Sequence, residues 1–430
     1  MRDLLRRLTR ACLPPMLLAA SAGAAAQDFP VDIPGVPGVP GISSDPRARP
    51  PVGLLLPEPG QPDLVTPLAI LDRLVVPGTR LQLEWRPRGG ISNAEIASPV
   101  IVARGAMAGP VLCLAAGVHG DEINGVEIVR RLSHAVDPTR LSGTVIGVPI
   151  VNVFGYSRGT RYLPDRRDLN RYFPGSRQGS IASRIAHGFF QDIVRHCDVL
   201  VDFHTGSFDR ANLPQVRADL TNPGVLEFTR GFGATVVLHS PGNKGMLRVA
   251  ATAVGIPAVT FEAGAPTRLE PAEIAQAVAA IERLMIKLEM REDPEAGVPP
   301  PAGVAAVALE APEPPPIFLD SRWVRANSGG LLISEVSLGQ RVLAGQKLGR
   351  VIDPVSNVER FIVAPVPGRV IGMSQNQAVL PGYAAFHLGT ETSEQQAVRE
   401  AARPPSPDAV AEDPEERPEA AKGEDGEDFE

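Results

Sequence analysis

Between residues 64 and 290 short apolar runs alternate with amphipathic stretches. Residues 111–116, 143–148, 199–203, 235–238 and 258–261 are nearly unbroken apolar runs of strand length, the pattern of strands covered on both faces. Between them, 124–132, 181–195 and 272–288 carry apolar residues at three- and four-residue spacing, which predicts helices with one face turned to a core. Strands alternating with helices predict an α/β domain: a mixed or mostly parallel sheet with helices on both faces.

The pattern breaks down on either side of that domain. Residues 1–26 run basic (Arg2, Arg6, Arg7, Arg10), then apolar, then small (Ala24, Ala25, Ala26), the order of a secretory signal peptide. The chain is therefore expected to be exported, to the periplasm. Residues 27–63 form a Pro/Gly-rich leader with too few periodic apolar positions to build a core. A second Pro-rich stretch, 291–316, reads as a linker that closes a 64–290 domain. Residues 317–390 alternate short strand-like runs with glycines and predict a small all-β module, while 391–430 form an acidic tail expected to be disordered.

Composition changes this picture little. The chain is 43% hydrophobic, ordinary for a globular protein, and its net charge of -7 argues against a nucleic-acid partner, with much of the acid lying in the tail. Beyond the signal no apolar run approaches the ~20 residues needed to cross a bilayer, so no membrane association is expected after its cleavage. Cys12 falls in the signal. Cys113 and Cys197 remain, and two readings stay open: a disulfide, or two buried free thiols.

The candidate chemistry sits where predicted strands end. His119 and Glu122 follow the 111–116 run and precede a helix, a place where open α/β sheets build sites. An imidazole and a carboxylate three residues apart can face one ion. His204 ends the 199–203 run and offers a third ligand, and two nitrogens plus one carboxylate with an open fourth position suit catalytic Zn²⁺, one per chain. Asp202, two residues before His204, reads as a structural hydrogen-bonding group, and Glu127 as solvent-facing. Glu262, at the end of the 258–261 run, is the candidate general base. Residues 158–175 form a loop crowded with arginines, in which Arg166 and Arg167 are expected to be solvated and Asn170 and Arg171 to face a substrate carboxylate; a loop held by salt bridges is the alternative.

Taken together, His119-Gly120-Asp121-Glu122, Asp168-Leu169-Asn170-Arg171, Asp202-Phe203-His204 and Phe261-Glu262 resemble, in order and separation, the succinylglutamate desuccinylase/aspartoacylase family of the zinc carboxypeptidase superfamily. The resemblance implies that His119, Glu122 and His204 bind zinc, that Glu262 is the base, and that Asn170 and Arg171 hold a substrate carboxylate. It also implies an oxyanion-polarising Arg161 and a further substrate-binding Arg248, although Arg248 read alone could equally sit on a helix surface. Residues 328–389 resemble the family's C-terminal module, similar to biotinyl and lipoyl carrier barrels; no lysine stands where carriers attach a cofactor, so no covalent biotin or lipoate is expected. A wall or lid over the pocket is the expected role of that module.

The implied activity is hydrolysis of an N-acyl amino acid, or a similar small carboxylate-bearing amide, by a metal-activated water. A carboxypeptidase-like enzyme acting on short peptides or cell-wall fragments would use the same residues. A binding protein without catalysis is the third reading, since a fold does not guarantee chemistry.

Overall fold

The computed structural model describes residues 65–87, 97–207, 209–293, 316–375 and 377–392. The predicted signal, the leader, nearly all of the Pro-rich stretch and the acidic tail lie outside the described residues. Among those described, no helix is long and apolar enough to cross a membrane.

A twelve-stranded sheet runs through the described residues. From one edge its strands are Thr79–Trp85, Ser98–Arg104, Ser142–Val148, Met107–Ala116, Val199–His204, Ala258–Gly264, Arg210–Ala218, Val236–His239, Ile317–Arg325, Ala384–Thr392, Gly368–Ser374 and Arg341–Val342. The four strands from Ser142–Val148 to Ala258–Gly264 are mutually parallel, and Arg210–Ala218 then runs antiparallel to Ala258–Gly264. The sheet is mixed, as the pattern predicts.

Alternation along the strands divides the core between two faces. Leu112, Leu114 and Ala116 point one way and Cys113 and Ala115 the other. The first face is covered by helices Ile123–Ala135, Pro223–Thr229 and Pro271–Lys287, which contribute Ile128, Leu132, Phe228, Ile281 and Leu284. Helices Ile181–Asp192 and Leu247–Thr252 cover the second with Ile185, Phe189, Phe190 and Leu247. Ser180 caps the helix that follows it, its hydroxyl accepting from the Ser183 amide.

Ile317–Arg325 adds to the sheet by pairing in parallel with Val236–His239, and Gly368–Ser374 pairs antiparallel with Arg210–Ala218. Gly330–Ser334, Lys347–Ile352, Glu359–Val363 and Ala378–Val379 form a separate four-stranded antiparallel sheet. Leu332, Leu348 and Ile362 from that sheet share a core with Val370, Phe386 and Leu388 of the large one. Residues 317–392 are thus β-rich, and part of them continues the central sheet.

Cys113 and Cys197 are joined by a disulfide within the second core face. The bridge spans a sequence separation of 84 residues, so in the unfolded chain it closes a long loop. Its loss is expected to cost about 2–4 kcal/mol. Thermal melting of the Cys113→Ala/Cys197→Ala variant beside the oxidised protein measures this; equal melting temperatures would show that the bond contributes nothing.

Candidate active site

The chain leaves strand Met107–Ala116 and turns through residues 117–122 before helix Ile123–Ala135. Gly120 is needed in that turn because a Cβ there would lie 2.0 Å from the Gly155 carbonyl carbon. The turn packs directly on the short helix Val153–Tyr156. Glu122 occupies the N-cap position of the next helix yet caps no amide. Its carboxylate turns inward instead, with Oε1 2.8 Å from His119 Nδ1 and Oε2 2.8 Å from His204 Nδ1.

His204 closes the neighbouring parallel strand, and its Nδ1 lies 3.1 Å from His119 Nδ1. Two imidazole nitrogens at that distance, each also against a carboxylate oxygen, form a cluster that could hold a cation. The outer nitrogens fix the ring orientations. His119 Nε2 donates to Asp168 Oδ1 at 3.0 Å, and His204 Nε2 donates to Asp202 Oδ2 at 2.9 Å. A carboxylate behind each imidazole is how metal-binding histidines are oriented. His119, Glu122 and His204 are all buried, their ligand atoms lie within 4.8 Å of one another, and this donor set fits a metal ion.

Charge in the cluster is balanced locally. Burial opposes ionisation of Glu122, but His119 and His204 beside it hold its carboxyl well below the usual glutamate range. Burial also opposes charge on His204, and Asp202 and Glu122 overcome it, raising its pKa well above the ordinary histidine value. The same carboxylates place negative charge beside both imidazoles, which favours a cation among them.

The remaining predicted residues surround this cluster. Glu262 lies on strand Ala258–Gly264 directly beside His204 in register. Asn212 Nδ2 donates to Glu262 Oε2 at 3.3 Å, and Arg217 Nε lies 3.6 Å from Oε1. Arg161 donates from Nη1 to Glu122 Oε1 at 3.2 Å and from Nη2 to Asp168 Oδ2 at 3.0 Å. Asn170 receives the Leu247 amide on Oδ1 at 2.8 Å, which ties the arginine-rich loop to helix Leu247–Thr252. Arg248, on that helix, is buried rather than on its surface and donates to the Ser240 carbonyl and hydroxyl.

All eight predicted positions, His119, Glu122, Arg161, Asn170, Arg171, His204, Arg248 and Glu262, line one pocket, together with Thr205, Ser207, Arg217, Met246 and Thr260. Among the described residues none of the lining comes from 317–392. Asp202 takes the hydrogen-bonding place expected of it, Glu127 pairs with Arg130 and Arg131, and Arg166 is exposed. Asp168 stood in the 168–171 motif without a role of its own, and Asn212 and Arg217 were not picked out by the sequence. Of these only Asp168 carried a signal, two residues before Asn170 in the arginine loop.

Residues 108–288 match the profile of the succinylglutamate desuccinylase/aspartoacylase catalytic domain. The N-alpha-acetyl-L-2,4-diaminobutyric acid deacetylase of Halomonas elongata is 30% identical over 297 residues, covering 65% of this chain and 81% of the relative. The chain belongs to the succinylglutamate desuccinylase/aspartoacylase family. Solved structures share the family's fold. A succinylglutamate desuccinylase/aspartoacylase from Rhodobacter sphaeroides superposes with a TM-score of 0.61 at 23% identity, over 73% of this chain and 96% of that one. The product-bound ectoine utilization protein EutE (DoeB) from Ruegeria pomeroyi gives 0.62 at 23% identity, over 77% of this chain and 100% of that one. In succinylglutamate desuccinylase/aspartoacylase terms, the cluster, Glu262 and the arginines all lie within the matched catalytic domain.

Proposed function

We propose that this chain is a zinc-dependent deacylase, exported to the periplasm, that hydrolyses the amide bond of an N-acyl amino acid or a similarly small carboxylate-bearing amide. The observation that carries this reading is the convergence of His119, Glu122 and His204 on one point, with the Glu262 carboxylate and the Arg161 guanidinium in the same buried pocket. Two nitrogens and a carboxylate leave a fourth position for chemistry, which distinguishes catalytic from structural zinc. Zinc bound there would polarise the acyl carbonyl and make water more acidic.

The chain's own groups do the rest. Glu262 takes the proton of the attacking water on its carboxylate and returns it to the leaving nitrogen. Arg161, braced by Asp168 and Glu122, supplies N–H donors and positive charge to the developing oxyanion. Asn170, Arg171 and Arg248 bind the substrate carboxylate, the arginines through their forked donors. The Halomonas relative, a deacetylase by name, supports an N-acyl amino acid as substrate. The Cys113–Cys197 disulfide supports export, because such bonds persist in oxidising compartments.

Purified protein is expected to release the acid from N-acetyl or N-succinyl amino acids, to stop after chelation and to recover with added zinc. Turnover confined to short peptides would make it a peptidase instead. A zinc-replete protein that hydrolyses neither class would be a binding protein.

A further inference from the structure

We infer that Asn212 is a positioning residue for the Glu262 carboxylate, and that the β-rich region 317–392 serves the reaction by fixing the strand that carries it. The inference rests on the reading of Glu262 as the base. Strand Arg210–Ala218 lies against Ala258–Gly264, and from it Asn212 Nδ2 reaches Glu262 Oε2 while Arg217 Nε lies near Oε1. Both carboxylate oxygens are thus addressed by one neighbouring strand. The terminal torsion of a glutamate is broad and soft, so without such partners the carboxylate would aim at the attacking water only part of the time.

Asn212 is itself backed by the C-terminal region. Gly372 pairs with Asn212, Met373 with Ala211 and Ser374 with Arg210. At Gly372 a Cβ would lie 2.8 Å from Asn212 Oδ1 and 3.1 Å from His387 Cβ, so the glycine leaves the space in which the amide lies. Two residues before Asn212, the buried Arg210 guanidinium lies 5.0 Å from the rings of both Trp323 and Tyr383 and donates from Nε to the Ala384 carbonyl. A cation on two aromatic rings is a firm anchor. The C-terminal region supplies none of the described pocket lining, yet it fixes the strand that aims the carboxylate.

A double-mutant cycle tests this. Asn212→Ala is expected to lower kcat by roughly tenfold with KM and zinc content unchanged. Added to Glu262→Gln, it should cost nothing further, because a residue that acts only through the carboxylate has nothing left to position. Gly372→Ala, which crowds the amide from behind, should repeat both results. If the alanine variant at 212 does not fold, Asn212→Leu removes the donor at nearly the same volume without adding a charge beside Glu262, and takes its place. Wild-type kcat in these variants, or the same loss recurring in the Glu262→Gln background, would overturn the inference. Normal turnover by Glu262→Gln alone would instead sink the assignment of the base, and the inference with it.

Discussion

Glu262→Gln is expected to keep its zinc and lose roughly 10²-fold or more in kcat, the scale of general acid–base catalysis. Glutamine preserves the volume of the side chain and an oxygen to accept from Asn212, so the pocket should keep its shape. What disappears is the ability to take a proton. KM should change little if Asn170, Arg171 and Arg248 carry substrate binding, so the loss belongs in kcat. Steady-state kinetics beside metal analysis decides the matter: near-normal turnover at full zinc occupancy would move the proton to another group.

The second large effect is expected at His204. Removing its imidazole leaves His119 and Glu122 as the remaining ligands and strands the buried Asp202 carboxylate without its partner. The carboxylates behind metal-binding histidines are themselves worth about 10–100-fold in metal affinity, and loss of a ligand should exceed that. His204→Ala is therefore expected to retain little zinc and little activity. Circular dichroism establishes that the variant is folded, and elemental analysis then reads its zinc. Wild-type occupancy would remove His204 from the metal site.

The candidate ligands and the candidate base stood out in the sequence because each stands at the end of an apolar run, where the transition from buried strand to polar turn marks the rim of a pocket. His119 and Glu122 follow 111–116, His204 follows 199–203, and Glu262 follows 258–261. Strand Arg210–Ala218 was illegible for the opposite reason. It carries Arg210, Asn212, Gln215 and Arg217, all buried, and these polar side chains interrupt the apolar pattern even though Val216 and Ala218 of the same strand pack the core. Hydrophobic periodicity is blind to a strand of that kind. Pro214 adds a second false signal, since proline within a run argues against a central strand. In the structure it falls where the pairing with Ala258–Gly264 shifts register between Glu262 and Gly264, so the missing N–H is accommodated beside the site. The thiol pairing was left open for a simpler reason: whether Cys113 and Cys197 meet depends on strand order, which periodicity does not contain.

The shared sheet also sets the order in which the molecule can be finished. Every described residue lining the pocket precedes residue 263, yet Val236–His239 receives its outer neighbour only with Ile317–Arg325, and Arg210–Ala218 waits for Gly368–Ser374. A chain emerging amino terminus first thus holds every described pocket-lining residue while one flank of the sheet is still bare. Bare strands recruit whatever strand arrives, including that of another copy. The interval between residues 262 and 392 is accordingly when an unfinished chain is most exposed to aggregation, and strand Ala384–Thr392, which joins Ile317–Arg325 to Gly368–Ser374, ends that exposure.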